Sequence, residues 1–399
     1  MHPWDDAAFE QAVTNPMRIV PSRRRLVQAL PGLLLAGQAW PQAAPASLPA
    51  RVNGLGERLL AAQDQDEDAV LISPLSLLDA VALLALGARG EALQQMNGLL
   101  GSDNRAAYAA LHAQLGGATA LRRASGAWLA GGEAPLPDYR AALTALGAEI
   151  QSVDFRDPGA VRLINAWVAA RTGNLIPSLL DGLPANTALV LTAALHCAAT
   201  WQQTFDPAAT RTGPFRRAGG GTAEARFMTG VVTARFARGE DIHAVRLRYT
   251  TRDFELLLLA PRPDGNPSAV RTLVGQGKIL ETLSALRFAE DQVGVTLPTF
   301  EASHGGDLLP ALRRITPAFD ASYTGITGRG VLVSQVRQKA VLKVDERGTE
   351  AAAATAIIAQ RGISMRPVFH ADAPFLAVVL HVPTGLHIVS ALINLPRSA

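Results

Sequence analysis

The stretch that most limits how this chain can fold is Ser73 to Leu86, SPLSLLDAVALLAL. Ser73 is placed to cap a helix, and Pro74 suits the first helical position, where a missing N–H costs nothing. Beyond them Leu75, Leu77, Leu78, Ala80, Val81, Leu83 and Leu84 cover nearly every face, with Asp79 the exception. A helix without a solvent face must be wrapped on all sides, so it needs a large core. At 399 residues and 48% hydrophobic, the chain is long enough to supply one. From Ser47 onward no Pro-rich or Ser-rich linker, long charge block or solenoid-length repeat marks a second domain. A single domain over 47–399 is therefore expected.

Helical periodicity returns over Ala160 to Thr172, where Leu163, Ile164, Trp167 and Val168 are expected to share a buried face. After Leu189 the pattern changes to strands: Leu191 to Ala199, Phe254 to Ala260, Gly294 to Phe300 and Val331 to Val344. The chain closes with Phe375 to Val382, the turn Pro383-Thr384-Gly385, and Leu386 to Leu395, which together read as a hairpin buried on both arms. Helices concentrated in the first half and strands in the second argue for an α+β architecture rather than alternating βαβ units.

Several chemistries are excluded. Cys197 is the only cysteine, so no intrachain disulfide can form, and its alanine neighbours mark a small buried hydrophobe. The eight histidines are dispersed with no H-x-x-x-H pair, so no metal is expected. Net charge is only +3, and the arginine pairs are scattered rather than stacked on one periodic face, so no nucleic-acid partner is expected. There is no G-x-S-x-G elbow, H-E-x-x-H, Walker loop or G-x-G-x-x-G. Gly362-Ile363-Ser364-Met365-Arg366 lacks the closing glycine of an elbow. Nothing nominates an enzyme's catalytic residue, and no cofactor is implied.

Residues 1–46 read as an address. Ser22-Arg23-Arg24-Arg25-Leu26 precedes a short apolar centre through Leu30, Leu33, Leu34 and Leu35, then the small-residue run Ala43-Ala44-Pro45-Ala46. That order is the plan of a secretory signal, and the paired arginines resemble the twin-arginine export signal. Pro31, Gly32 and Gly37 interrupt a stretch too short to anchor in a bilayer, so no stable membrane association is expected. The expected location is periplasmic or extracellular.

The segment Asp345 to Ser364, between two strands, has two readings. Its alanines favour a helix. Read with period two, Thr349, Ala351, Ala353, Thr355, Ile357 and Ala359 fall on one face, all small or apolar, with Glu350 on the other. Such a segment suits late entry into a packed sheet, where each badly fitted side chain costs roughly 1–3 kcal/mol.

Glu346-Arg347-Gly348-Thr349-Glu350-Ala351-Ala352-Ala353-Ala354-Thr355 resembles the hinge of inhibitory serpins, and further matches follow in order along most of the chain. Ser73-Pro74-Leu75-Ser76 resembles the shutter segment of that family. Asn165-x-Trp167-Val168-x-x-x-Thr172 resembles its N-x-W-V-x-x-x-T helix, and Trp201 with Phe205-Asp206-Pro207 its breach tryptophan and F-D-P. Leu297-Pro298-x-Phe300, Lys339-Ala340-Val341-Leu342 and Pro383-Thr384-Gly385 continue the series. The resemblance implies a serpin fold, helices around three β-sheets with an exposed reactive loop over about 346–367, and a monomer that traps a serine protease as an acyl-enzyme by loop insertion.

Family spacing from Glu346 puts the cut bond at Gly362. Arg361, one residue earlier, suits a trypsin-like protease, so Arg361-Gly362 is the expected bond, with Gly362-Ile363 and Ile363-Ser364 as alternatives. The chain also departs from the family pattern. Ala193 and Gln338 replace the asparagine and histidine that usually bond across the shutter, and Gln338 is expected to bond Ser73 or Ser76 instead. Thr299 stands where some members have a lysine for Glu346, so that ion pair is expected to be absent. A non-inhibitory serpin, acting as a carrier or chaperone, would carry bulky, charged or proline residues in the hinge; a secreted hydrolase would need a nucleophile that the chain lacks.

Overall fold

The apolar stretch after Ser73 forms a helix that is buried over almost its whole length, with Pro74 to Ala85 all enclosed. Ser73 caps it, its Oγ accepting from the Ser76 N–H at 3.0 Å. The computed structural model describes residues 46–115, 118, 120–349 and 366–397, which all belong to one unit. Residues 1–45 of the expected export segment, the expected hinge residues Glu350, Ala351, Ala352, Ala353 and Ala354, and the residues of the expected reactive bond and its alternatives, Arg361, Gly362, Ile363 and Ser364, lie outside the described residues.

The first half runs α1 (Leu48–Ala61), β1 (Ala69–Ile72), α2 (Pro74–Leu86), α3 (Gly90–Leu100), α4 (Asn104–Leu115), β2 (Leu121–Ala130), α5 (Pro137–Ala145), β3 (Glu149–Val153) and α6 (Gly159–Arg171). The second half is mostly strands: β4 (Leu189–Cys197), β5 (Ala199–Thr200), β6 (Arg211–Arg216), β7 (Thr222–Arg238), β8 (Ile242–Arg248), β9 (Phe254–Pro261), β10 (Ala289–Pro298), β11 (Phe300–Asp307), β12 (Gln335–Val344), β13 (Gly348–Thr349), β14 (Val368–His370), β15 (Phe375–His381) and β16 (Leu386–Ile393). Among the described residues these strands form a nine-stranded sheet, a five-stranded sheet ordered β11-β12-β4-β2-β3, and the two-stranded β13-β5. None of the described helices is long and apolar enough to cross a membrane.

The five-stranded sheet positions the site. Its central strand β4 is enclosed on both faces, which suits its largely apolar composition. On the inner face Leu191, Ala193 and Leu195 join the main core with α2. On the outer face Val190 and Ala194 join a second cluster with Ile164 and Val168 of α6. β4 and β12 run parallel, while β11, β12 and β2, β4 pair antiparallel.

Two expectations need correction. Leu163 is 46% exposed, so the buried face of α6 is Ala160, Ile164 and Val168. Residues 331–334 lie outside any strand and β12 begins only at Gln335. The first half also contributes three strands, of which β2 and β3 complete the five-stranded sheet.

Candidate functional site

Gln338, near the middle of β12, pairs in register with Ala193 of β4, and both are buried. The alanine offers no polar atom across the seam. The Gln338 carboxamide turns instead to the start of α2: Ser73 N–H donates to Oε1 at 3.0 Å, and Nε2 donates to the Ser73 carbonyl at 2.9 Å. The expectation of a Ser73 or Ser76 partner is therefore met by the Ser73 main chain rather than by a hydroxyl. Ser73 Oγ donates to the Ile388 carbonyl of β16 at 2.7 Å, so this one residue joins α2, β12 and β16. Ser76 takes part through its N–H. A buried amide left without its partner costs about 1–3 kcal/mol, so the paired geometry fixes the Gln338 rotamer.

At the top of the seam the chain leaves β12 through a tight turn. The Asp345 N–H donates to the Gly348 carbonyl at 2.9 Å, and Asp345 Oδ1 accepts from the Arg347 and Gly348 N–H groups at 2.8 and 3.2 Å. Gly348 and Thr349 then pair antiparallel with Thr200 and Ala199. A Cβ on Gly348 would lie 2.1 Å from the Ala199 carbonyl oxygen, so only glycine permits this approach.

Trp201 seals the turn. Its Nε1 donates to the Asp345 carbonyl and its N–H to the Arg347 carbonyl, both at 2.9 Å. The indole stacks on Tyr249 with centroids 4.7 Å apart and an interplanar angle of 4°. The Tyr249 hydroxyl shares a 2.5 Å hydrogen bond with Thr349 Oγ1, and burial pushes its pKa well up. Sequence reasoning missed Tyr249; only its place beside Trp201 in the fold identifies it.

Glu346 is held by Thr210 Oγ1, which donates to its Oε1 at 2.6 Å, and its carbonyl accepts from the Phe205 N–H at 2.8 Å. With Thr299 in place of a lysine, a different residue brings a cation to Glu346. Arg226 brings its guanidinium to 4.0 Å from Glu346 Oε1, while its own carbonyl accepts from the Thr299 N–H. That arginine side chain is 59% exposed, which makes the pair a weak one.

The outer cover of the seam explains a further motif. Asn165 of α6 donates from Nδ2 to the Leu180 carbonyl, and its Oδ1 accepts from the Leu179 and Leu180 N–H groups. Thr172 Oγ1 bonds the Val168 carbonyl and accepts from the Ile176 N–H, fixing the helix end. Trp167 meets Trp128 of β2 edge to face. Lys339 of β12 donates to the Ser178 carbonyl at 2.9 Å, so the loop after α6 reaches across β4 to β12.

Among the described residues no group of three or more His, Cys, Asp or Glu is placed to hold a metal. Cys197 is buried at the end of β4, and burial pushes its thiol up to about 12, so it is inert as a nucleophile.

A model of the family described as Serpin (serine protease inhibitor) matches residues 52–394. The chain is similar to leukocyte elastase inhibitor of Bos taurus, 31% identical over 339 residues that cover 79% of this chain and 90% of that protein. It is also similar to intracellular coagulation inhibitor 1 of Tachypleus tridentatus, 30% identical over 344 residues covering 79% and 82% respectively. The structure resembles Serpin48 of the insect Tenebrio molitor with a TM-score of 0.79 at 22% identity, covering 88% of this chain and 98% of that one. The family model spans most of the chain and these likenesses agree with it, and the chain belongs to the serpin family.

Proposed function

We propose that this chain is a single-use inhibitor of a serine protease, in which the segment after Thr349 is cut as bait and then enters the sheet between β12 and β4. The observation that carries the reading is the register at the top of the seam, where Gly348 and Thr349 already pair antiparallel with Thr200 and Ala199. Continued down β4, that register puts Ala351 opposite Cys197, Ala353 opposite Leu195, Thr355 opposite Ala193, Ile357 opposite Leu191 and Ala359 opposite Leu189. Directly opposed residues point to the same face. The small and apolar face of the segment is thus the one directed onto the inner core, where Leu191, Ala193 and Leu195 lie. Glu350 falls on the outer face in the row of Lys343, and Thr355 fills the place between Ala193 and Gln338.

Insertion replaces one parallel pair, β12-β4, with two antiparallel pairs, the more stable arrangement per residue. Strand addition that releases a strained state is a known serpin behaviour. The protease serine attacks the carbonyl of Arg361, the Arg361-Gly362 amide breaks, an ester forms and the new amine of Gly362 takes up a proton. Gly362-Ile363 and Ile363-Ser364 are the alternative bonds. An arginine suits the acidic pocket of a trypsin-like target. Residues 349–360 then fill the seam, and the esterified Arg361 travels about 40 Å to its far end. Pulling the protease out of shape removes its oxyanion hole, at about 2.7–4 kcal/mol per donor, and the ester persists. Residues 1–46 serve as an export segment of twin-arginine type, which places the 47–399 inhibitor in the periplasm or outside the cell.

Mixing the mature protein with trypsin near equimolar ratio tests this. A denaturing gel should show a band at the summed mass and a released peptide beginning at Gly362. Cleavage with neither a covalent band nor a rise in melting point would refute the reading.

A further inference from the structure

The described side chains include one buried ion pair set across two parts of the opening machinery. Asp79, the only charge in α2, is 3% exposed, and its partner Arg123 on β2 is 15% exposed. Arg123 Nη2 donates to both carboxylate oxygens at 2.6 and 2.8 Å, and Nε donates to Oδ2 at 3.2 Å. Ser125 of β2 donates to Oδ2 at 3.1 Å, and Tyr108 of α4 to Oδ1 at 2.9 Å. Two residues of β2 are therefore fastened to the middle of α2.

The position of these bonds relative to the seam gives them a role. Ser125, Ala193 and Gln338 lie side by side on β2, β4 and β12. Gln338 is tied to α2 at Ser73 and Ser125 is tied to α2 at Asp79, while Ala193 between them adds no polar tie. One helix thus holds both sides of the place where the new strand must enter. Admitting a strand separates β12 from β4 by a further ~4.8 Å, more than a hydrogen bond of 3.5 Å or less can follow. One set of ties must give way. Ser73 is bonded to β16 as well as to β12, so α2 stays with that body, and β2 moves away together with β4 and β3.

We propose that the Asp79-Arg123 pair, with Ser125, is the positioning tie that holds β2 to α2 and sets the rate at which the hinge strand enters the sheet. This rests on the inhibitory reading. Charge-assisted, enclosed bonds of this kind are strong against shear yet contribute little to net stability, because burying both charges is costly. The pair therefore acts on the rate of opening more than on the stability of the closed sheet.

The test uses the intact mature protein and a labelled synthetic peptide with the sequence of residues 349–360, whose uptake measures seam opening without any protease. The variant Asp79→Leu/Arg123→Met/Tyr108→Phe replaces the buried polar groups with apolar ones of similar volume. It should take up the peptide about tenfold faster than the parent or more, with no fall in its denaturant midpoint. Ser125→Ala removes one tie with little risk to folding and should accelerate uptake about threefold. A merely structural pair would move the midpoint and leave the uptake rate in step with it. Uptake by both variants within twofold of the parent overturns the tie alone, and if the triple variant fails to fold, Ser125→Ala decides. A parent that takes up no peptide and does not gain melting temperature on cleavage overturns the inhibitory reading as well.

Discussion

Substituting Ala353 by glutamate should convert the inhibitor into a substrate. The register of Thr349 on Ala199 carries residue 353 to a place between Leu195 of β4 and Ala340 of β12, both fully buried. On the inner side of that row Arg123 of β2 is committed to Asp79 and His304 of β11 lies against Glu67, each a strand beyond Leu195 or Ala340, so the carboxyl would enter without a cation of its own, as the neutral acid. Taking up a proton at pH 7 from an ordinary glutamate range near 4.3 costs about 4 kcal/mol. If most of that cost is felt before the strand is seated, insertion slows about 10³-fold and the acyl-enzyme hydrolyses first. The assay is titration of a fixed amount of trypsin, followed on a denaturing gel. The parent should give a covalent band, and the variant should give cut protein with active trypsin. At pH 5 the same proton costs only about 1 kcal/mol, so cut variant moved to pH 5 should regain part of the rise in melting point. A covalent yield equal to the parent's at pH 7 would refute the register, because it would place residue 353 away from Leu195 and Ala340.

Other consequences follow from the same geometry. Gly348→Ala places a Cβ 2.1 Å from the Ala199 carbonyl oxygen, so β13 must leave β5 and the uncut protein should lose about 1–3 kcal/mol in a denaturant titration. Arg361→Glu should abolish the covalent band with trypsin while leaving the melting point of the uncut protein unchanged; a persisting band would move the cut to another bond. His387 on β16 is buried, and burial lowers its pKa from 6.5 to about 4. Its folded value lies below its unfolded value, so this contribution to stability is complete above pH 6.5 and is lost as pH falls toward 4. The loss is about 3 kcal/mol, and a His387→Phe variant should show a correspondingly flatter dependence of midpoint on pH.

Much of this was legible in the chain because local signals and the final packing agree. Ser73, Pro74 and the run of leucines specify a buried, capped helix whatever surrounds it, and the closing hairpin from Phe375 announces itself through its turn. The site was legible through its unusual composition: a small-residue face of period two beside a glycine has few other uses. What escaped depends on distant partners. β2 contains Arg122, Arg123, Ser125 and Gly126, a composition without a strand signal of its own, and the burial of Arg123 makes sense only with Asp79 of α2 beside it. Tyr249 gains its role only when Trp201 stacks on it and Thr349 arrives. Residues 331–334 have strand composition but bond only at isolated points, Val331 to Tyr323 and Ser334 to Ala188 and Leu189, and the continuous ladder with β4 begins at Gln335. The Leu163 error has a similar origin, since α6 rests on only one side of the sheet and Leu163 faces outward.

The central claim is that residues 349–360 become a strand between β12 and β4. A crystal structure of the protein cut at the reactive bond tests it most directly. The account predicts a six-stranded sheet in which Gln338 and Ala193 are no longer neighbours, Thr355 lies between them, and Ala353 faces the inner core. A five-stranded sheet that still pairs Gln338 with Ala193 after cleavage would contradict it.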